Sequence, residues 1–304
     1  MHRKGKVIRS TGKWYKVADG DEVIDCRLPG IFRLKEEEVT NPVAVGDNVQ
    51  FDVEDDGVGT IREIEHRENY IPRKATHGKR GDQILVANID IAWVVQSIKE
   101  PGMKEGFIDR FLVSCEAYEI PIGILINKMD LGGKKELAQA ELVKDVYEDI
   151  GYKVLTLSAE NPDSLSGLET EISGKTSVFI GQSGVGKTSI INALNPGLNL
   201  KTGEISGYSG KGKHTTTYAT LIPCGNETFI VDTPGIREFG LVNIEPAELS
   251  LFFPEMLEPR ENCKFYNCTH FHEPNCGVIE AYDAGKIDAG RYNSYLNILE
   301  SLEE

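Results

Sequence analysis

The clearest chemical signal in the sequence is a glycine-rich segment, Gly181-Gln182-Ser183-Gly184-Val185-Gly186-Lys187-Thr188. It matches G-x-x-x-x-G-K-[ST], the phosphate-binding P-loop, in which the glycines let successive backbone N–H groups turn toward phosphate oxygens. An apolar run precedes it and a helical pattern follows, which is the setting that the motif requires. The helix N-terminus adds a dipole that favours an anion. We expect Lys187 to reach the β- and γ-phosphates, Thr188 to bind magnesium and Ser189 to join the same site; a plain glycine-rich turn is the alternative.

A second short motif, Asp232-Thr233-Pro234-Gly235, follows the apolar residues 229–231. It lies about 45 residues after Lys187, which is the placement of D-x-x-G in a P-loop GTPase. The Asp232 carboxylate can hold the magnesium shell, and the Gly235 N–H can meet the γ-phosphate.

Asn127-Lys128-Met129-Asp130 follows a third apolar run and resembles the guanine-specificity motif N-K-x-D of GTPases. A carboxylate at Asp130 can accept hydrogen bonds from N1 and N2 of guanine, which adenine cannot offer. We expect Asn127 to face the other edge of the base and the Lys128 stem to pack along it. Ser158-Ala159, after the next predicted strand, resembles the short loop whose backbone N–H contacts guanine O6.

The order of these motifs is unusual. Ordinary GTPases run P-loop, switch I, D-x-x-G, N-K-x-D and S-A, whereas here the last two precede the P-loop. Residues 160–175 would join the ends that are free in an unpermuted domain, and such a join leaves a site intact when the ends lie close at the surface. The sequence therefore predicts a circularly permuted GTPase.

Near the C-terminus, Cys263-x4-Cys268-x-His270-x5-Cys276 offers three thiolates and one imidazole. That is a closed tetrahedral ligand set for one structural zinc ion, with no position left open for water. His272 is a competing nitrogen ligand, and unligated cysteines in a small helical unit are the alternative. The remaining cysteines are expected to be small buried hydrophobic residues: Cys26, Cys115 and Cys224.

Composition limits the class of protein. With 304 residues, 40% hydrophobic and 27% charged, the chain is typical of a soluble protein of two or three domains. No apolar run approaches the roughly 18 residues of a membrane span, and the basic N-terminus lacks the apolar stretch of a signal peptide. We therefore expect a cytoplasmic protein with no membrane association.

The net charge of −15 argues against indiscriminate nucleic-acid binding. Two local basic clusters could still contact RNA phosphates, or be solvated loops. The first cluster contains Arg3, Lys4, Lys6, Arg9, Lys13 and Lys16, and the second contains Arg73, Lys74, Lys79 and Arg80.

The pattern of elements predicts three domains. Residues 1–70 alternate in short segments broken by Gly, Asp and Pro, which favours a small OB-like barrel. Residues 71–240 alternate strands with helices at 107–119, 134–150 and 187–194, which indicates a parallel sheet covered by helices. Within them, residues 89–95 are nearly all apolar, as in a strand buried on both faces. Residues 241–304 read as helix with the Cys/His segment. The fold class is thus an α/β P-loop GTPase domain, circularly permuted, with an N-terminal OB-like β-barrel and a C-terminal helical zinc-binding domain.

Together these motifs resemble ribosome small subunit-dependent GTPase A, the bacterial RsgA (YjeQ/YloQ) family, over essentially the whole chain. The resemblance implies a factor in late maturation of the small (30S) ribosomal subunit, with 16S rRNA and other assembly factors as partners. It implies a slow GTPase that the subunit stimulates. We expect a monomer that binds Mg²⁺ with GTP.

The same resemblance assigns switch I to Gly210-Lys211-Gly212-Lys213-His214-Thr215-Thr216-Thr217. It implies that Thr216 completes the magnesium coordination and that His214 is the catalytic group. Ile236 occupies the position where Ras-like GTPases have a water-orienting glutamine, so unaided hydrolysis should be slow. The alternative for His214 is a simple contact with the ribosome or solvent.

Two other functions compete with this one. A permuted GTPase of the large ribosomal subunit would share the motif order, but those relatives lack the barrel and the cysteine segment. An RNA-binding module could use GTP only as a ligand, and turnover of many GTP molecules per protein would distinguish an enzyme from it.

Overall fold

The computed structural model describes residues 2–29, 42–73, 83–198, 219–232 and 244–303. Within residues 2–29 and 42–64 the N-terminal unit contains five strands: β1 (His2–Ser10), β2 (Trp14–Asp19), β3 (Glu22–Arg27), β4 (Asn48–Val53) and β5 (Gly59–Ile64). They pair in the order β1-β2-β3-β5-β4, and β4 pairs again with β1 to close a barrel. Alternation along β2 sends Tyr15 and Val17 into the barrel core. The predicted OB-like barrel is confirmed.

A short antiparallel pair, β6 (Tyr70–Arg73) and β7 (Gln83–Ala87), follows the barrel. Asp47 holds the segment between β5 and β6 against the barrel. It is fully buried and accepts hydrogen bonds from the Ala44 N–H and from Arg67. Asn88, with φ of +52°, ends β7 before the next strand begins. Most of the apolar residues after it belong to β8 (Ile91–Ser97), which is buried at every position.

In the part of the chain that the structure describes, the main sheet contains five parallel strands, and one antiparallel strand lies at the side next to the barrel. Their order is β10 (Lys153–Thr156), β9 (Ile122–Asn127), β8 (Ile91–Ser97), β11 (Thr176–Ile180), β13 (Phe229–Asp232) and β12 (Thr220–Pro223). Helices cover both faces: α1 (Glu105–Ala117), α2 (Lys134–Ile150), α3 (Ser166–Ile172) and α4 (Lys187–Leu194). Val94 and Ile124 pack on one face, and Trp93 and Leu125 pack on the other. Burial on both faces explains the continuous apolar runs, and the predicted α/β fold is confirmed.

The barrel and the main sheet are continuous, because Arg9 of β1 pairs with Thr220 of β12. The segment 160–175, read from the sequence as the join between old termini, contains a short 3₁₀ helix (Pro162–Leu165) and α3.

The C-terminal unit is helical, as predicted. A 3₁₀ helix (Pro246–Phe252) leads to α5 (Pro254–Arg260), α6 (Gly277–Asp283) and α7 (Ala289–Glu303). Its core packs Phe253 and Tyr295 against Val113 of α1, so this unit rests on the main domain through α1. Within the described ranges, no helix combines the length and the apolar character that crossing a membrane requires.

Candidate nucleotide and metal sites

The glycine-rich loop lies between β11 and α4, at the carboxyl edge of the parallel sheet, where ligands of such sheets bind. Gly184 and Gly186 have φ of +85° and +95°, a backbone conformation that favours glycine. A Cβ on Gly181 would overlap the Val95 carbonyl, and one on Gly186 would overlap the Asn127 amide. The loop can turn inward only because these positions carry no side chain.

Lys187 and Thr188 are both buried in the first turn of α4. The Lys187 ammonium curls back and donates to the carbonyls of Gly181 and Gln182 at 2.8 and 2.9 Å. It is thereby held against the loop backbone, from where it can meet a phosphate oxygen. Ser183 and Gly184 are exposed at the mouth of the loop.

Asn127 ties three loops together. Its buried amide donates from Nδ2 to the Val185 carbonyl at 2.9 Å and accepts at Oδ1 from the Ala159 N–H at 3.1 Å. Its amide joins the P-loop to the Ser158-Ala159 turn, and the expected contact of Asn127 with the base stays a prediction. This cross-link brings the three sequence-predicted segments to one place.

The base-recognition residues follow directly. Lys128 has φ of +62°, and its ammonium donates to the Glu100 carbonyl at 2.5 Å. Asp130 is exposed within a 3₁₀ turn (Met129–Leu131), and its carboxylate accepts a hydrogen bond from the Ser158 hydroxyl. An exposed acceptor beside a fixed turn is the arrangement needed to read the N1–H and N2 amine of guanine.

A further loop, residues 98–104, was missed from the sequence. Its Glu100 carbonyl receives the Lys128 ammonium, and Pro101 lies 3.5 Å from where a Cβ of Gly184 would be. The loop follows β8, the neighbour of β11, so its start shares an edge with the P-loop. That adjacency was the available signal, but it requires knowledge of the strand order.

The remaining predicted residues are described only in part or not at all. The backbone of Asp232 ends β13, with Thr220 as its neighbour on β12. His214, Thr216 and Gly235 lie outside the described residues, as does the whole predicted switch I.

The predicted metal ligands come together in the C-terminal unit. The ligand atoms of Cys263, Cys268, His270 and Cys276 all lie within 4.8 Å of one another. The Sγ atoms of Cys263 and Cys276 are 3.8 Å apart, and His270 Nδ1 is 3.5 and 3.3 Å from them. A tetrahedral zinc with Zn–S bonds of about 2.3 Å has S···S edges of about 3.8 Å, so the set fits such an ion. His272 is exposed and is not part of the cluster.

Polar contacts brace the turn that carries His270. Tyr292 and Tyr295 donate to the carbonyls of His270 and Thr269, each at 2.7 Å. Glu273 accepts from the N–H and hydroxyl of Thr269 at 2.7 and 2.6 Å. Burial opposes the charge of Glu273, yet the hydrogen bonds from Thr269 and neighbouring N–H groups lower its pKa to about 2. The carboxylate is thus a permanent acceptor at neutral pH.

The chain is similar to known proteins over its barrel, its main domain and its full length. The family model "RsgA N-terminal domain" matches residues 4–61, and the model "RsgA GTPase" matches residues 64–242. The small ribosomal subunit biogenesis GTPase RsgA of Bacteroides fragilis is 43% identical over 302 residues, covering 99% of this chain and 97% of that protein. Its namesake from Flavobacterium johnsoniae is 42% identical over 304 residues, covering 99% and 94%.

Two solved structures share the fold. YjeQ from Thermotoga maritima matches with a TM-score of 0.83 and 33% identity, covering 99% of each chain. YloQ, described as a circularly permuted GTPase, matches with a TM-score of 0.80 and 32% identity, covering 100% of this chain and 96% of that one.

Proposed function

Because the chain belongs to the RsgA family of GTPases, we propose that it acts in late maturation of the small ribosomal subunit. The relatives named above are small-subunit biogenesis GTPases. The observation that carries the proposal is the cross-link through Asn127, which joins the P-loop to the guanine-recognition turns. The similarity to these relatives extends over 99% of the chain.

The proposed binding roles follow from this arrangement. Residues 181–189 would hold the phosphates of GTP, and Thr188, Thr216 and Asp232 would bind the magnesium ion. Asp130 selects guanine, while Ser158-Ala159 contacts its O6. The bound ion would neutralise negative charge on the β- and γ-phosphates.

The proposed chemistry is slow without a partner. Ile236 cannot orient a water molecule, so His214 is the proposed group that positions the nucleophile. Docking on the subunit would fix His214 beside the γ-phosphate and so raise the rate.

The other units have proposed roles of their own. Residues 241–304 hold one structural zinc through Cys263, Cys268, His270 and Cys276. Residues 1–70 contact 16S rRNA, and the GTPase unit spans residues 71–240. In the barrel, Arg3, Lys4 and Lys16 form ion pairs with acidic neighbours, while Arg9 and Lys13 are exposed near the β1–β2 turn. The protein would act as a cytoplasmic monomer among other assembly factors.

The test is the steady-state GTPase rate with purified small or large ribosomal subunits. We expect the small subunit to accelerate turnover strongly and the large subunit to have no effect. His214→Ala should abolish the acceleration without weakening subunit binding, whereas His66→Ala, an exposed histidine near the barrel, should not. Equal stimulation by both subunits would contradict a role specific to the small subunit. Full stimulation of His214→Ala would exclude a catalytic role for His214.

A further inference from the structure

Arg291, on α7, is the most deeply buried cation among the described residues, with 2% of its surface exposed. Its Nη1 donates to Asp109 Oδ1 on α1 at 2.5 Å. Its Nε and Nη2 donate to both carboxylate oxygens of Glu255 on α5, at 2.7 and 3.1 Å. One guanidinium therefore joins the main domain to two helices of the C-terminal unit.

The surroundings of this network are apolar, which strengthens it and makes its disruption costly. The guanidinium lies 4.6 Å from the Phe253 ring centroid and 5.6 Å from that of Tyr147. The Tyr147 hydroxyl donates to the same oxygen of Asp109 at 2.6 Å. Loss of one partner from such a buried network leaves the remaining charges uncompensated. Asp109 thus depends on Arg291, and α1 is anchored there.

The anchored helix leads to the nucleotide site. Immediately before α1, the Lys104 N–H donates to Oε1 of the buried Gln96 at 3.2 Å. The preceding residues carry the Glu100 carbonyl that receives the Lys128 ammonium and the Pro101 ring beside Gly184. Loop 98–104 thus runs directly from the guanine and phosphate motifs into the first turn of α1.

We propose that Arg291 is a positioning residue for guanine-nucleotide binding, which holds loop 98–104 against Lys128 and the P-loop by fixing α1 through Asp109. The C-terminal unit then contributes to nucleotide affinity through α1, although Arg291 lies outside the nucleotide motifs. The proposal rests on the nucleotide site described above.

The test compares two arginines that join the same pair of helices. Arg291→Met removes the buried charge, while Arg110→Met removes an exposed contact from Arg110 to Ser301 at 2.9 Å. Affinity is measured by titration with fluorescent GDP, together with kcat and KM for GTP and the zinc content. We expect Arg291→Met to weaken GDP binding about three- to tenfold and Arg110→Met to leave it unchanged. KM should rise while kcat at saturating GTP stays the same, because ground-state and transition-state binding are lost together.

Simple destabilisation is separated from positioning by two further variants. The triple variant Arg291→Met, Asp109→Asn, Glu255→Gln leaves no stranded charge, so it should fold with full zinc content and still bind GDP weakly. Arg291→Lys keeps the charge beside Asp109 but loses the fork to Glu255, and should give an intermediate affinity. Wild-type GDP affinity in the zinc-loaded triple variant, or in Arg291→Met itself, would overturn the inference alone. Failure of the wild-type chain to bind GDP would overturn the nucleotide site as well.

Discussion

The nucleotide site and the metal cluster are held together in different ways. At the nucleotide site, loops at the ends of strands are cross-linked by their own polar groups, as when Asn127 joins Val185 to Ala159. In the cluster, three cysteines and a histidine converge within 4.8 Å on irregular chain between short helices. Thiolates at that separation repel unless a cation lies between them.

The two kinds of support predict which site can form before its ligand binds. The nucleotide loops follow strands of a sheet that is buried on both faces, and the packing of that core involves protein side chains. The cluster lies on irregular chain between α5 and α6, which have seven residues each, and the longer α7 contacts it through Tyr292 and Tyr295. We therefore expect the nucleotide site to be folded before GDP binds, and the metal cluster to fold only when the metal binds.

Loss of the metal should give the largest effect. Cys268→Ser should lower the zinc content from about one ion per chain to nearly none and unfold the C-terminal unit, since structural zinc supplies the folding free energy of such units. Zinc analysis and proteolysis of the region after residue 244 measure both. Cys224→Ser, at a partly buried cysteine outside the cluster, is the matched control. A protease-resistant C-terminal unit without zinc would contradict the proposed dependence on metal.

Gly186→Ala should have the next largest effect, on the nucleotide site alone. The new Cβ would overlap the Asn127 amide at a φ of +95°, so both the loop and its cross-link must move. We expect GDP affinity to fall by about two orders of magnitude or more, with the sheet intact, because a shift of about an ångström misplaces the phosphate ligands. Gly57→Ala introduces similar strain at a φ of +80° in open space, and it should bind GDP normally.

Asp130→Asn should change the ligand preference rather than the fold. An amide in place of the carboxylate can donate to O2 of xanthine, so affinity should fall for GTP and rise for xanthosine triphosphate. A competition titration with the two nucleotides measures the exchange. Asp163→Asn, an exposed acid in a nearby 3₁₀ helix, serves as the control. Unchanged preference for GTP would remove Asp130 from the site.

Much of the fold and the motif positions could be predicted because they depend on local patterns. The helices at 134–150 and 187–194 have the bounds expected from their periodicity. The P-loop carries its own signature, and its strand and helix flank it as expected. The strands β3 and β5 of the barrel were not identified singly, since β3 pairs with a strand some 30 residues away and its register depends on that pairing.

The parts that sequence reasoning missed depend on contacts between distant residues. Arg291 and Asp109 are separated by 182 positions, and neither lies in a motif that would single it out. The same applies to loop 98–104, whose role depends on the adjacency of β8 and β11. For Asn127 the motif was recognised, but its cross-link between Val185 and Ala159 was not, because that contact joins loops that are far apart in the sequence.

A variant with a small expected effect tests whether hydrogen bonds hold the nucleotide loops in place before GDP binds. Ser164 Oγ accepts from the Ser158 N–H at 3.0 Å and lies 2.9 Å from the Ser158 carbonyl, so it fixes the turn beside Asp130. If these hydrogen bonds hold the site ready, Ser164→Ala makes GDP order the turn itself, which costs about 1 kcal/mol, or about fivefold in affinity. Ser166→Ala removes only a long contact to Asp163 at 3.4 Å and should bind GDP like wild type. Zinc content should stay constant in both variants, because the brace and the metal belong to separate units. Equal GDP affinity in the wild type, Ser164→Ala and Ser166→Ala would mean that GDP itself orders the loops that bind it. The nucleotide site would then depend on its ligand as the metal cluster does, which would contradict the contrast between the two sites.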